Sequence, residues 1–218
     1  MKIFLDTANR EVIKKHLATG LIDGITTNPT HLSKEGPNTK EVLLAICTMV
    51  TGPVSIEVVE KAPDAVYRQA HEISKLAGNV VVKIPFAEMY LPVIKRLVEE
   101  GVLLNITLIF SPLQALMVAK LGVAFISPFA GRIDDTGACG MELIEELVSL
   151  KDIYEFESQI LAASLRSVVH WKQAALAGAN IATLPPTVFE QAMVHPLTQK
   201  GIELFDADWK KLGKETLL

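Results

Sequence analysis

Residues 79–86 read NVVVKIPF and residues 102–110 read VLLNITLIF. Both are short runs of β-branched and aliphatic residues, apolar on both faces of an extended chain. A strand of that kind must be covered on both sides. That is the condition of a parallel strand with helices outside it and further side chains inside. A lysine, Lys83, interrupts the first run, and Asn105 and Thr107 interrupt the second.

Six further segments share this character, and the full set is 2–5, 24–26, 54–58, 80–84, 103–108, 124–127, 160–163 and 181–184. Longer stretches between them carry apolar residues at helical spacing, among them 38–50, 64–76, 91–100, 141–150 and 167–177. Gly20, Gly78, Gly101, Gly122 and Gly178 follow helical patterns where a left-handed cap is wanted. Strand and helix alternating eight times leaves an open doubly wound sheet or a closed barrel. The count favours an α/β fold of the (β/α)8 TIM barrel type. No GxGxxG or GxxxxGKS/T follows the first strand to support the open sheet. With no linker, repeat or low-complexity segment, the 218 residues are read as one barrel domain, 1–218. Residues 196–212 follow the eighth strand, with Leu197, Ile202, Phe205 and Trp209 at roughly helical spacing. This additional C-terminal helix is expected to cover the barrel or to pack against a neighbouring subunit.

The formal net charge is -4 and 50% of residues are hydrophobic, without a basic stripe or long acidic run. That excludes a nucleic-acid binder. Residues 101–119 hold no charged side chain, but Asn105, Thr107, Ser111, Pro112 and Gln114 fall within them. Ser111-Pro112 reads as a helix N-cap and first turn, so a strand and a helix are expected there and not a membrane span. MKIFLDTANRE is too short in its apolar run for a signal peptide. Cys47 and Cys139 lack CxxC partners and are expected to be reduced thiols in a soluble, cytoplasmic protein. His16, His31, His71, His170 and His195 are scattered, without HxH or HExxH spacing, so no metal site is expected and the histidines add little.

In a barrel of this type chemistry sits at the C-terminal ends of the strands. Polar residues gather there: Asp6, Thr26-Thr27-Asn28, Glu57, Lys83, Asn105 and Thr107, then Arg132, Ser164 and Arg166. Burying so many polar groups is costly unless they share a site. Lys83 is either a strand-end lysine reaching the rim or an amine kept neutral by apolar surroundings and able to attack a carbonyl. Asp6 is either a helix N-cap, a place Asn9 fits as well, or a proton acceptor for a substrate hydroxyl as a C–C bond breaks. Glu57 and Thr107 could hold a water that shuttles protons. Arg132, Ser164 and Arg166 are either ordinary rim groups or a phosphate site.

Seven segments, in order, carry a resemblance: FLDTAN (4–9), GITTNPTHLSKEG (24–36), SIEVVE (55–60), VVVKIP (80–85), NITLIFS (105–111), ISPFAGRIDD (126–135) and AASLR (162–166). Together they resemble the small transaldolases and the related fructose-6-phosphate aldolases over nearly the whole chain. The resemblance implies a class I, metal-independent barrel enzyme with no cofactor and with Lys83 as the Schiff-base lysine. It implies Asp6 as acid/base, Glu57 and Thr107 around the catalytic water, Asn28 and Asn105 as ligands of the substrate hydroxyls, and Thr27 as a further substrate-binding residue. Phe129, Arg132, Ser164 and Arg166 complete the substrate site, the last three at the phosphate-binding positions. The aldolase branch typically has glutamine in place of Glu57, tyrosine in place of Phe129 and an apolar residue in place of Asn105. All three positions resemble the transaldolase branch.

The expected activity is transfer of a dihydroxyacetone unit from sedoheptulose 7-phosphate or fructose 6-phosphate to an aldose phosphate, in the pentose phosphate pathway. The partners implied are small sugar phosphates and further copies of the chain, as a pentamer or decamer, with no nucleic acid and no membrane. Two readings compete: a fructose-6-phosphate aldolase releasing free dihydroxyacetone, and a non-catalytic oligomeric sugar-phosphate-binding barrel. The set Asp6, Lys83, Thr107, Arg132 and Arg166 argues against the second, which has no use for a desolvated lysine.

Overall fold

The apolar runs pair as parallel strands that close on themselves in chain order. They are β1 (Lys2–Asp6), β2 (Gly24–Thr26), β3 (Val54–Glu57), β4 (Val80–Pro85), β5 (Leu104–Ile109), β6 (Phe125–Pro128), β7 (Gln159–Ala162) and β8 (Ile181–Leu184). The structure is a computed structural model and describes residues 1–211 and Gly213. β1 pairs with β2 on one side and with β8 on the other, so the sheet has no edge. The helices are α1 (Arg10–Leu17), α2 (Pro29–Leu32), α3 (Thr39–Met49), α4 (Pro63–Ser74), α5 (Leu91–Glu99) and α6 (Pro112–Ala119). They continue with α7 (Ala130–Asp134), α8 (Gly140–Ile153), α9 (Val168–Leu176), α10 (Pro186–Ala192) and α11 (Pro196–Lys211). This is the expected (β/α)8 barrel.

Successive strand residues face opposite sides, and the apolar core divides accordingly. Val82 and Ile84 of β4 join the large cluster between sheet and helices. Val81 faces inward and meets Phe4, Phe125, Leu161, Ala163 and Ile181 in a separate inner cluster. The rings of Phe4 and Phe125 meet edge to face, with centroids 6.1 Å apart. This inner plug makes the barrel a packed core and forms the floor on which the polar residues stand. Lys83 lies two residues beyond Val81 and so shares its inward face.

Gly24 opens β2 because nothing larger fits there. A Cβ at that position would lie 2.6 Å from both the Phe4 ring and the Pro53 carbonyl oxygen. Gly24→Ala is expected to destabilise the fold by about 1–3 kcal/mol through overpacking. Urea unfolding checks this, and an unchanged midpoint would mean that the Phe4 ring gives way without cost.

Strand ends fall within about one residue of expectation, and the differences have a common cause. β1 runs through Asp6 and β4 through Pro85, residues without apolar signal whose backbones still sit in the ladder. Leu103, expected to open the fifth strand, is exposed and precedes it. Gly20, Gly101, Gly122 and Gly178 take positive φ, whereas Gly78 does not. α4 instead ends by tightening, with Lys75 N–H donating to Glu72 O at 3.3 Å and Leu76 N–H donating to Ile73 O at 3.1 Å. Ser111 caps α6 as expected, its Oγ accepting from Gln114 N–H at 3.3 Å.

Two helices follow β8 where one was expected. The first, α10, buries Val188 and Phe189, and the Phe189 ring packs against Trp171 and His16. The second is the expected C-terminal helix. It runs Pro196–Lys211, and Leu212 lies outside the described residues. It does not cover the barrel: none of its residues is buried, and Leu197 and Phe205 are 70% and 75% exposed. Among the described residues no helix is long and apolar enough to cross a membrane.

Candidate active site

The C-terminal ends of the strands surround a cavity of about 380 Å³, within the range of small-ligand sites. Strand register places Glu57, Lys83 and Asn105 side by side on β3, β4 and β5. Lys83 is buried, and its Nζ lies 2.8 Å from Glu57 Oε2 and donates to the Thr27 carbonyl at 3.3 Å. The apolar surroundings expected of Lys83 hold along its strand but not at its tip, where a carboxylate and a carbonyl receive it. A buried ion pair is poor value for stability, since desolvation offsets much of the attraction. Its presence at the floor of a cavity points to chemistry.

Asn105 is fully buried and held at both ends. Its Nδ2 donates to Ser55 Oγ at 3.1 Å, and its Oδ1 accepts from Ser127 Oγ at 2.6 Å. Two residues on, Thr107 shares the inward face, and its buried Oγ1 has no hydrogen-bond partner among the described residues. Such a group is uncommon in a folded interior and marks a place for a polar ligand atom. The β5–β6 register then shifts between Ile106 and Ile109, and Leu108 takes φ 57°. A bulge of this kind re-aims neighbouring side chains and is commonly found beside active sites.

Asp6 ends β1. The capping role falls to Asn9, whose Oδ1 accepts from Val12 N–H at 3.0 Å, and Asp6 is left to the cavity. Its Oδ1 accepts from Thr26 Oγ1 at 2.9 Å and, at the outer limit of a hydrogen bond, from Asn28 Nδ2 at 3.5 Å. The Thr26 hydroxyl is braced by Thr183 Oγ1 at 2.6 Å. His31 Nε2 lies 3.3 Å from Asp6 Oδ2. Burial is the largest single influence on Asp6 and would raise its pKa. It is outweighed by the His31 hydrogen bond and charge, the Lys83 charge and the Thr26 hydrogen bond, which together hold the carboxyl below its ordinary value.

Asn28 serves twice. Its Oδ1 caps α2 by accepting His31 N–H at 3.0 Å, which leaves Nδ2 as the end available to a ligand. At the opposite rim, the Arg132 guanidinium carbon stands 5.2 Å above the Phe129 ring. Ser164 lines the cavity with φ 59°, a conformation serine seldom adopts. Gly131 lets the chain pass close to it, since a Cβ there would meet the Ser164 carbonyl at 2.2 Å.

Of the residues expected from the sequence, Asp6, Asn28, Glu57, Lys83, Asn105, Thr107, Phe129, Arg132 and Ser164 line this one cavity. Two do not. The Thr27 hydroxyl donates to the Ser55 carbonyl at 2.8 Å, and Thr27 meets the site only through the backbone oxygen that receives Lys83. The Arg166 guanidinium is half exposed and paired with both carboxylate oxygens of Asp135, at 2.6 Å for Nη2 to Oδ2. Three residues were missed. Ser127 and Thr183 follow the inward-facing Phe125 and Ile181 by two positions, so strand parity alone could have found them. His31, set aside among the scattered histidines, lines the cavity three residues after the Asn28 cap.

A buried primary amine flanked by a carboxylate, with a second carboxylate, a free hydroxyl and an arginine around one cavity, is suited to covalent attack on a carbonyl with proton transfers on either side. Comparison with known proteins bears on which carbonyl. A family model described as Transaldolase/Fructose-6-phosphate aldolase matches residues 3–216. A "Probable transaldolase" of Phenylobacterium zucineum (strain HLK1) is 48% identical over 217 residues, covering 100% of both chains. One of the same description from Chelativorans sp. (strain BNC1) is 49% identical over 215 residues, covering 99% of each. Among solved structures, an inosine 5' monophosphate dehydrogenase from Legionella pneumophila superposes with a TM-score of 0.60 at 11% identity. That match covers 86% of this chain and spans 58% of the other, and at such identity it is a likeness of fold alone.

Proposed function

The chain belongs to the transaldolase/fructose-6-phosphate aldolase family and is an enzyme of that kind, and from this premise we propose that it is a transaldolase working through a Schiff base on Lys83. The observation that carries the reading is the Lys83 amine, buried at the cavity floor with Glu57 at 2.8 Å to take its proton. The neutral amine adds to the C2 ketone of fructose 6-phosphate or sedoheptulose 7-phosphate. Loss of water gives an iminium, with Glu57 and the unpartnered Thr107 hydroxyl handling that water. Asp6 takes the C4 hydroxyl proton and the C3–C4 bond breaks, its electron pair moving into the iminium to leave an enamine. The aldose phosphate departs. A second aldose phosphate enters, the enamine attacks its aldehyde carbon, Asp6 returns the proton to the new hydroxyl, and hydrolysis frees Lys83.

Asn28 Nδ2 and Asn105 are assigned to substrate hydroxyls, and Arg132 and Ser164 to the phosphate. Arg166 joins them once it leaves Asp135. Transfer is favoured over simple cleavage by Phe129, which lines the cavity and has no hydroxyl with which to protonate the enamine. A place in the pentose phosphate pathway, in the cytoplasm, goes with this activity. The exposed apolar residues Leu197, Ile202, Leu204 and Phe205 of α11 support a homo-oligomer, pentamer or decamer, in which that helix meets a neighbouring subunit.

The test follows glyceraldehyde 3-phosphate release from fructose 6-phosphate with and without erythrose 4-phosphate. Sustained release only with the acceptor is the expected result. Phe129→Tyr should raise acceptor-independent release at least about tenfold by supplying an acid near the enamine. Equal release by the unaltered protein without acceptor would make it an aldolase, and an unchanged rate in Phe129→Tyr would remove the role given to Phe129.

A further inference from the structure

His31 has no part in the reaction described above, yet its imidazole lines the cavity and meets Asp6. It reaches the site through α2, a single turn that opens on Asn28. The backbone N–H of His31 fixes the Asn28 amide by donating to Oδ1 at 3.0 Å, while the side chain turns to Asp6 Oδ2 at 3.3 Å. One residue thus orients two of the groups that line the cavity. A carboxylate only accepts hydrogen bonds, so a bond from this ring nitrogen requires that the nitrogen carry the proton. The other partners of Asp6 are the Thr26 hydroxyl at 2.9 Å and the Asn28 amide at 3.5 Å, both on Oδ1 and both neutral. Among the described residues, His31 is the only group able to carry a charge that lies within ion-pair distance of Asp6.

We propose that His31 is a positioning residue for C–C bond cleavage: its Nε2–H holds Asp6 Oδ2, so that Asp6 stands as an oriented carboxylate when the substrate hydroxyl gives up its proton. The inference rests on the transaldolase reading given above. In that step the hydroxyl proton passes to Asp6 and the C3–C4 electron pair passes into the iminium. His31 keeps its own proton throughout. When the acceptor adds, the proton on Asp6 goes to the new hydroxyl and the pairing with His31 is restored.

The other charged groups facing the cavity are Lys83 on β4, Glu57 on β3 and Arg132 on α7. Glu57 is engaged by Lys83 at 2.8 Å, and Arg132 stands over Phe129. Glu35, just beyond α2, receives Asn9 Nδ2 at 3.3 Å. Removing the imidazole therefore leaves Asp6 with the Lys83 charge and two neutral donors.

The experiment follows the Asp6 carboxyl by carbon-13 titration, assigned by its absence in Asp6→Asn, in the unaltered protein, His31→Leu and His31→Gln. The midpoint should rise by about one pH unit or more in His31→Leu, with His31→Gln between, since the amide keeps a donor without the charge. A midpoint unmoved in His31→Leu overturns the proposal whatever the protein does to sugars. The acid limb of kcat/KM should move upward with it, and a limb that stays put while the midpoint moves overturns the proposal equally. Borohydride trapping of sugar on Lys83 separates the two readings. Trapping with an unmoved limb removes only the role of His31. An unaltered protein that neither traps nor turns over removes the transaldolase reading and the cleavage role of His31 with it.

Discussion

Lys83→Ala is expected to abolish both turnover and borohydride-dependent attachment of sugar, a loss of at least about 10³-fold in kcat/KM. Among the described residues that line the cavity, no other carries a primary amine to form the covalent intermediate. The complication is structural. Glu57 lies 2.8 Å from Lys83 and is itself largely buried, so removing the lysine leaves a carboxylate without its partner. Breaking a buried pair costs on the order of 3–5 kcal/mol, enough to confuse loss of chemistry with loss of fold. The control is Lys83→Met combined with Glu57→Gln, which keeps the volume and removes both charges. It should fold normally and still take up no sugar. A sugar adduct surviving in Lys83→Ala would move the nucleophile elsewhere and sink the assignment.

Asp6→Asn should lower kcat/KM by about 10²–10⁴-fold, the usual range for losing a positioned proton acceptor, while leaving borohydride trapping at Lys83 intact. That split follows from the proposed division of labour. Glu57 and Thr107 serve formation of the Schiff base, whereas Asp6 serves the bond cleavage that follows. Loss of trapping in Asp6→Asn would mean that Asp6 acts before the iminium forms. The same substitution has a pH-dependent effect on stability. His31, Lys83 and Thr26 hold the folded-state pKa of Asp6 below its unfolded value, near 3.9. The stability contributed by its carboxylate is therefore complete above that unfolded value and is lost as pH falls through the folded one. The stability gap between the two proteins should close as pH falls through the folded-state value.

The barrel was legible because the signal for it is repeated. Eight apolar runs at regular intervals leave few topologies, and one misjudged strand end changes none of them. The ends themselves were blurred where chemistry begins: Asp6 and Pro85 continue the ladder without looking like strand residues. The inward row Glu57, Lys83 and Asn105 could be read because each interrupts an otherwise apolar or β-branched run. Thr27 misled for a related reason. It sits between Thr26 and Asn28 in an all-polar triplet, where no apolar neighbour shows which residue faces inward. His31 could not be read at all by metal-ligand spacing, because its partner is a carboxylate on another strand. The bulge after Thr107 left no mark either, since Leu108 is an ordinary strand residue in composition and a left-handed one in the fold.

The pairing of Arg166 with Asp135 has a consequence for which sugars the protein accepts. Asp135 is held below its ordinary pKa chiefly by the Arg166 hydrogen bond, so it stays ionised at neutral pH. With Arg166 in its proposed phosphate role, a ligand does not find a waiting cation. It must exchange one anion for another, and its affinity is the difference between two ion pairs. A phosphate dianion brings more charge and more acceptor oxygens than a carboxylate and can win that exchange. An unphosphorylated sugar brings none and leaves the arginine where it is. Asp135 thereby sets a threshold that takes some binding strength from the phosphate and denies a neutral sugar the arginine altogether, which is selectivity obtained from an internal competitor and not from a tighter fit.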